Sequence, residues 1–251
     1  MKPSVHAVSQ YSGTTGNLTG RIALHGFSNN PQGWFAWLAE RLPLDGEVLE
    51  VGAGTGKLWS EVDPGGLRLT LTDFSAAMCE QLRAVPGARV RQCDATQLPF
   101  GDGTFDSLIA NHMLYHLDEP TVALREFSRV LRSGGRLAAA LNGRDHLEEL
   151  RAIGPAVGRP ELLRGLVVNE LVAENAAEMF SRFFDDVTVE RYPSELEVPA
   201  VEPILDYLAT LTVEPLTPAE QSAVREFVQP TIDAAGNYRI RAHSVLVTAT
   251  R

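Results

Sequence analysis

The sequence is poor in cysteine, in positive charge and in long apolar runs, and each shortage excludes something. Only Cys79 and Cys93 occur. They form no Cys-x-x-Cys pair and have no histidine cluster beside them, so neither a disulfide framework nor a metal site is indicated. Both read as small buried hydrophobes. Lysine and arginine number 22 against 32 acidic residues, a formal net charge of -10. Such a surface repels phosphate backbones and anionic headgroups, so neither nucleic acid nor membrane is an expected partner. No stretch approaches the roughly 18 apolar residues of a membrane span, and the polar start of the chain is unlike a secretory signal. A cytoplasmic protein is expected. No repeat of fixed period is visible, and 251 residues suffice for one sizeable α/β core.

What is present alternates. Residues 11–42 begin loosely and turn helical, with Ile22, Leu24, Trp34, Phe35, Trp37, Leu38 and Leu42 broken by Asn29-Asn30-Pro31, which predicts two short helices. Strands are expected at 47–51, 67–72, 88–92, 105–110 and 136–141, with helical stretches between them and a helix over 119–131. That alternation means a parallel, doubly wound sheet. Residues 186–191 and 239–250 read as a sixth and a seventh strand. Between them a Glu- and Pro-rich, helix-forming insert spans about 196–236. It either caps the site beyond the strand ends or adds packing at a sheet edge, and the cap is favoured.

Val48-Leu49-Glu50-Val51 runs straight into Gly52-Ala53-Gly54-Thr55-Gly56. A strand feeding such a loop lets backbone N–H groups approach a ligand at a helix N-terminus. A P-loop is excluded, because Val51 stands where its first glycine belongs and Leu58 follows Lys57. The dinucleotide fingerprint also misses, its third glycine arriving one residue early. Two acids raise the signal. Asp73 closes the second strand, where a carboxylate can accept from both hydroxyls of a ribose. Asp94 follows the third, where it can accept from an adenine amine while the Ala95 N–H reaches a ring nitrogen.

In this order the motifs resemble the class I S-adenosylmethionine (SAM) dependent methyltransferases, in particular those acting on bacterial small molecules. Glu50 through Gly56 is similar to the family's first motif, and Thr72-Asp73-Phe74-Ser75 to its ribose-binding motif. Cys93-Asp94-Ala95 with Leu98-Pro99-Phe100 resembles the adenine-binding motif, 105–116 the fourth motif, whose residues just past the strand line the cofactor, and Arg125-Glu126 with 129–135 the helix and turn before the fifth strand. The resemblance implies an α/β, Rossmann-like doubly wound sheet of seven strands, mostly parallel with an antiparallel last strand, plus N-terminal helices and a C-terminal helical cap insert. It implies a single methyltransferase domain over 1–251: an arm with helices at 1–42, the core at 43–195 and 237–251, and the cap at 196–236. It also implies SAM as cofactor and S-adenosylhomocysteine as product. Glu50, Gly52, Ala53, Gly54, Asp73, Phe74, Asp94, Ala95, Asn111 and His112 would line the cofactor, Phe74 packing on the adenine.

Methyl transfer from a sulfonium is an in-line displacement, so the protein chiefly positions the acceptor and excludes water. An acceptor O–H or N–H still calls for a base or an anchor, and His146, in the polar loop past the fifth strand, is the first candidate. For His116 a local hydrogen-bonding role is at least as good a reading. By resemblance Tyr11 would close the methyl pocket, in both catalysis and cofactor binding, and Arg21 would pair with the cofactor carboxylate. Trp34, Phe35 and Trp37 stand at helical spacing and read as core before they read as an acceptor pocket. The expected partner is a small-molecule substrate, with the chain a monomer or a homo-oligomer. A SAM-binding regulator without activity, or a nicotinamide-dependent oxidoreductase, are the competing readings. The first would be expected to have damaged the glycine loop or Asp73, and the shifted third glycine counts against the second.

Overall fold

Strand β1, Glu47–Val51, is buried along four of its five residues, as a strand covered on both faces must be. It lies inside a seven-stranded sheet with β2 (Arg68–Asp73), β3 (Arg89–Gln92), β4 (Phe105–Asn111), β5 (Leu131–Asn142), β6 (Asp185–Arg191) and β9 (Ser244–Thr250), in the order β3-β2-β1-β4-β5-β9-β6. The computed structural model describes residues 16–160, 162, 170–212 and 214–251. The first five strands pair in parallel, and β9 runs antiparallel to both β5 and β6. The two edge strands, β3 and β6, are mostly exposed and charged, which discourages pairing with a second chain.

Helices cover both faces. On one side α5 (Pro120–Val130) turns Ala123, Leu124, Phe127 and Val130 inward, a helical stripe with proline at its first turn. It packs with α8 (Ala173–Phe180) against Leu108, Ala110, Leu137, Ala139 and Val247. On the other side α2 (Trp34–Ala39), α3 (Leu58–Glu61) and α4 (Ala76–Leu82) bury Trp37, Leu38, Leu58, Trp59 and Leu82 against Val48, Leu69, Leu71 and Ile109. The Ser75 hydroxyl caps α4 by accepting from the Met78 N–H.

A third core stands apart from the sheet. Strands β7 (Ser194–Val198) and β8 (Tyr238–Ala242) pair antiparallel as a separate ribbon. Around it lie α1 (Gly16–His25), α6 (Glu148–Arg151), α7 (Ile153–Ala156), α9 (Glu202–Ala209) and α10 (Pro218–Ala235), which bury Leu24, Leu150, Ile153, Ile204, Leu208, Val224 and Val228 together with Leu196 and Ile240. Thr217 and Glu220 form a reciprocal capping box at the start of α10, and Gly236 ends it in the left-handed region.

Three expected boundaries change. The stretch 239–250 is not one strand but two, divided at His243: Ile240 and Ala242 bury into the third core, whereas Val245 and Val247 bury into the sheet. The buried positions slip from even to odd numbers across the break, a one-residue change of phase that a single continuous strand would not show. The insert opens with β7 rather than a helix, its buried Ser194, Leu196 and Val198 alternating as a strand requires. Finally, β5 starts at Leu131, five residues before the expected 136, with an irregularity in its pairing to β4 that absorbs Ser133-Gly134.

Candidate cofactor and acceptor site

The strand order reverses at β1 and β4. The chain leaving β1 crosses to the α3 face and the chain leaving β4 to the α5 face, which opens a crevice beyond their carboxyl ends. Gly52 enters it with φ of 69°, and a Cβ there would stand 2.7 Å from the Cβ of Met113. The loop therefore closes against the segment after β4 only because this position has no side chain. Gly52→Ala is expected to destabilise the protein by about 1–3 kcal/mol through backbone strain and overpacking. A thermal melt checks this, and an unchanged midpoint would refute it.

Asp73 ends β2 with both carboxylate oxygens engaged: Oδ2 accepts the Gly54 N–H at 2.9 Å and Oδ1 the Ser75 N–H at 2.8 Å. Burial raises its pKa, and these backbone bonds oppose the rise. The same contacts fix the loop after β1 to the loop after β2. Next to it the Phe74 ring is 60% exposed, which leaves its face available for stacking. Asp94 Oδ1 accepts both the N–H and the hydroxyl of Thr96, at 2.8 and 2.7 Å. Ala95 beside it is buried.

Glu50 is buried, and its Oε2 accepts the indole N–H of Trp59 at 2.5 Å. Burial pushes its pKa up to about 8, Asp73 adds to the rise and the indole bond opposes it. The carboxyl is thus mostly neutral at pH 7, poised to ionise if a cation arrives. Trp59 escaped the sequence reading. It stands nine residues past the acid in a region expected only to be helical, and a buried indole N–H in need of an acceptor was the available signal.

Three imidazoles converge from three elements. His112, directly after β4, sits in the left-handed region at φ 55° and donates its N–H to Ala140 O at 3.2 Å. Its ring lies 5.0 Å from that of Trp34, which also packs on Trp37 and Tyr192. His146, after β5, stacks on His25 at the end of α1, with centroids 5.7 Å apart and planes 9° from parallel. Burial pushes His25 down to about 4 and His112 to about 3, and holds His146 well below its ordinary value; for His112 and His146 the neighbouring imidazoles add to the effect. All three are neutral at pH 7. His146 Nδ1 accepts the His243 N–H at 3.1 Å, so the neutral ring carries its proton on Nε2. Trp34 Nε1, Asn111 Oδ1 and His112 Nδ1 are buried with no hydrogen-bond partner.

The remaining expected residues are placed as follows. Arg21 donates to Thr210 O at 3.1 Å and to Thr210 Oγ1 at 3.4 Å, tying α1 to the end of α9. His116 lies in the short turn Leu114–His116. Tyr11 lies outside the described residues. Trp37 is core as expected, but Trp34 is only partly buried and faces His112. Among the described residues, Asp145, Glu174 and His243 bring three metal-capable atoms together. They already engage protein partners: Asp145 bonds His243 and Arg241, and Glu174 accepts the Arg144 N–H. No helix among the described residues is long and apolar enough to cross a membrane.

The buried Glu50 carboxyl, the Asp73 carboxylate locked at the end of β2 and the exposed Phe74 ring thus lie together around the glycine loop. Residues 49–139 match the family model described as a methyltransferase domain. Over this segment the chain is similar to the class I SAM-dependent methyltransferases. Its relatives include an uncharacterized methyltransferase of Mycobacterium bovis, 36% identical over 114 residues that cover 45% of this chain and 46% of that protein. A demethylmenaquinone methyltransferase of Beutenbergia cavernae is 37% identical over 94 residues, 37% of this chain and 39% of that protein. The matched stretch thus spans less than half the length of these relatives. The YcgJ protein of Bacillus subtilis shares the fold at a TM-score of 0.62 and 18% identity, covering 86% of this chain and 97% of that one.

Proposed function

We propose that this protein transfers a methyl group from SAM to a small-molecule acceptor, releasing S-adenosylhomocysteine. The observation that carries the reading is Asp73, whose carboxylate is held by the N–H groups of Gly54 and Ser75 at the point where a ribose would present two hydroxyls. Asp94, with the Ala95 N–H, is assigned to the adenine edge, and Phe74 to its face. Glu50, with Trp59 behind it, is assigned to the methionyl ammonium, and Gly52 and Ala53 to the backbone cradle. When bound, the cofactor supplies an electrophilic methyl on a sulfonium. The chain's part is to align the acceptor with it and keep water out.

Asn111 and His112, at the end of β4, belong to the side of the crevice where the acceptor meets the cofactor. His146 serves better as an anchor than as a base. Its Nδ1 lone pair is occupied by the His243 N–H, and its Nε2 in that tautomer is a donor. The arm and helices at 1–42, the core at 43–195 and 237–251 and the cap at 196–236 are assigned to one domain acting on the acceptor.

Calorimetric titration with S-adenosylhomocysteine and, separately, with NAD tests the cofactor. Micromolar binding of the former and none of the latter is expected. Failure of S-adenosylhomocysteine to bind at micromolar concentration would refute the reading.

A further inference from the structure

The wall formed by Trp34, Asn111, His112, His25 and His146 is built from flat rings and uncharged polar atoms. The parallel His25–His146 stack and the Trp34–His112 pair offer planar faces. Trp34 Nε1 is a buried donor, Asn111 Oδ1 a buried acceptor and His112 Nδ1 a buried ring nitrogen, all without a protein partner. Groups so buried are costly unless something else satisfies them. His112 is held there in a strained backbone conformation, as is common where a side chain is aimed at a ligand.

The titratable groups facing these rings are other imidazoles and Arg151, which donates to His146 O at 2.8 Å. Among the described residues no carboxylate acts on His25, His112 or His146: Asp145, the acid nearest in sequence, is engaged by His243 and Arg241. An ammonium seated here would be desolvated without a counter-charge, which costs several kcal/mol. A hydroxyl on a flat ring would instead meet both a donor and an acceptor.

Building on the methyltransferase reading, we infer that Trp34, Asn111, His112, His25 and His146 form an acceptor subsite selective for an uncharged, planar, hydroxyl-bearing molecule of phenol or enol type, and that they exclude amine acceptors in their ammonium form. Recognition rests on the unpartnered Trp34 Nε1, Asn111 Oδ1 and His112 Nδ1, so Trp34 and His112 determine specificity.

The test uses the full chain saturated with S-adenosylhomocysteine at pH 7.5, titrated with 2-naphthol, 2-naphthylmethylamine and 2-naphthoate. The neutral naphthol should bind at least about tenfold more tightly than either charged analogue. Trp34→Phe, which keeps a ring on His112 but removes the unpartnered indole N–H, should lower naphthol affinity about tenfold while leaving S-adenosylhomocysteine affinity unchanged. His112→Asn, which tolerates the left-handed backbone, should lower naphthol affinity similarly. Equal or tighter binding of either charged probe, no binding of any probe at millimolar concentration, or unchanged naphthol affinity in both variants would overturn the inference. Because S-adenosylhomocysteine binding is measured first, its failure would count against the methyltransferase reading, and a failure of the naphthol ranking alone against the subsite only.

Discussion

Asp73→Ala is expected to weaken S-adenosylhomocysteine binding by a factor of a few hundred. Two effects combine. The carboxylate would accept two hydrogen bonds from the ribose, each charge-assisted and worth about 1.5–3 kcal/mol. It also accepts the Gly54 and Ser75 N–H groups, so its removal releases the glycine loop and orphans two partly buried donors. A combined loss near 3–4 kcal/mol corresponds to that factor. Asp73→Asn retains the shape but can turn an amide N–H toward a backbone donor, and its loss should fall between alanine and wild type. Calorimetric titration checks both variants. A loss of less than threefold for alanine would remove Asp73 from the ribose site.

The second large effect concerns protons. Glu50 has a folded-state pKa near 8 against an ordinary value of 4.5, so between those values the folded protein holds a proton that the unfolded chain has released. Stability of the ligand-free protein therefore falls as pH rises from about 5 to about 8, by about 3 kcal/mol at pH 7, and levels off above 8. A bound ammonium reverses the preference and draws out the carboxylate. Near pH 7, cofactor binding should then release close to one proton and tighten by almost tenfold per pH unit from 6 to 7, levelling off toward 8. Calorimetry in two buffers of different ionisation heat measures the proton directly. Glu50→Gln should abolish the release, weaken the cofactor and flatten the stability profile over that pH range. Proton release that persists in the variant would assign it to another group.

How far the sequence could be read depended on how local the cause was. The glycine loop, Asp73 and Asp94 are legible because each function follows from a residue at a strand end, and strand ends are visible in the alternation. The antiparallel last strand came with the family resemblance rather than from its own pattern. The split at His243 left one trace, the change of phase between Ile240 and Val247, but the apolar Val245-Leu246-Val247 run beside it blurs the alternation and hides that the two halves bury into different cores. The gathering of His25, His112 and His146, which are 87 and 34 residues apart along the chain and meet only through the fold, was not legible. Trp34 shows the same limit. Helical spacing made it core together with Trp37, but one of the two rings faces His112 instead.

The chain keeps two sets of apolar interiors: first, the pair of cores on the two faces of the sheet that carries Asp73, and second, the core inside the ribbon and helices around β7 and β8. A substitution that reshapes the second, at Ile204 or Val228 for instance, repacks its own neighbours without passing through the strands that position the glycine loop. Leu24 and Leu147 of that core adjoin His25 and His146 in the chain, so on the proposed reading divergence there, natural or directed, reaches the acceptor wall while leaving the proposed seat of the methyl donor intact.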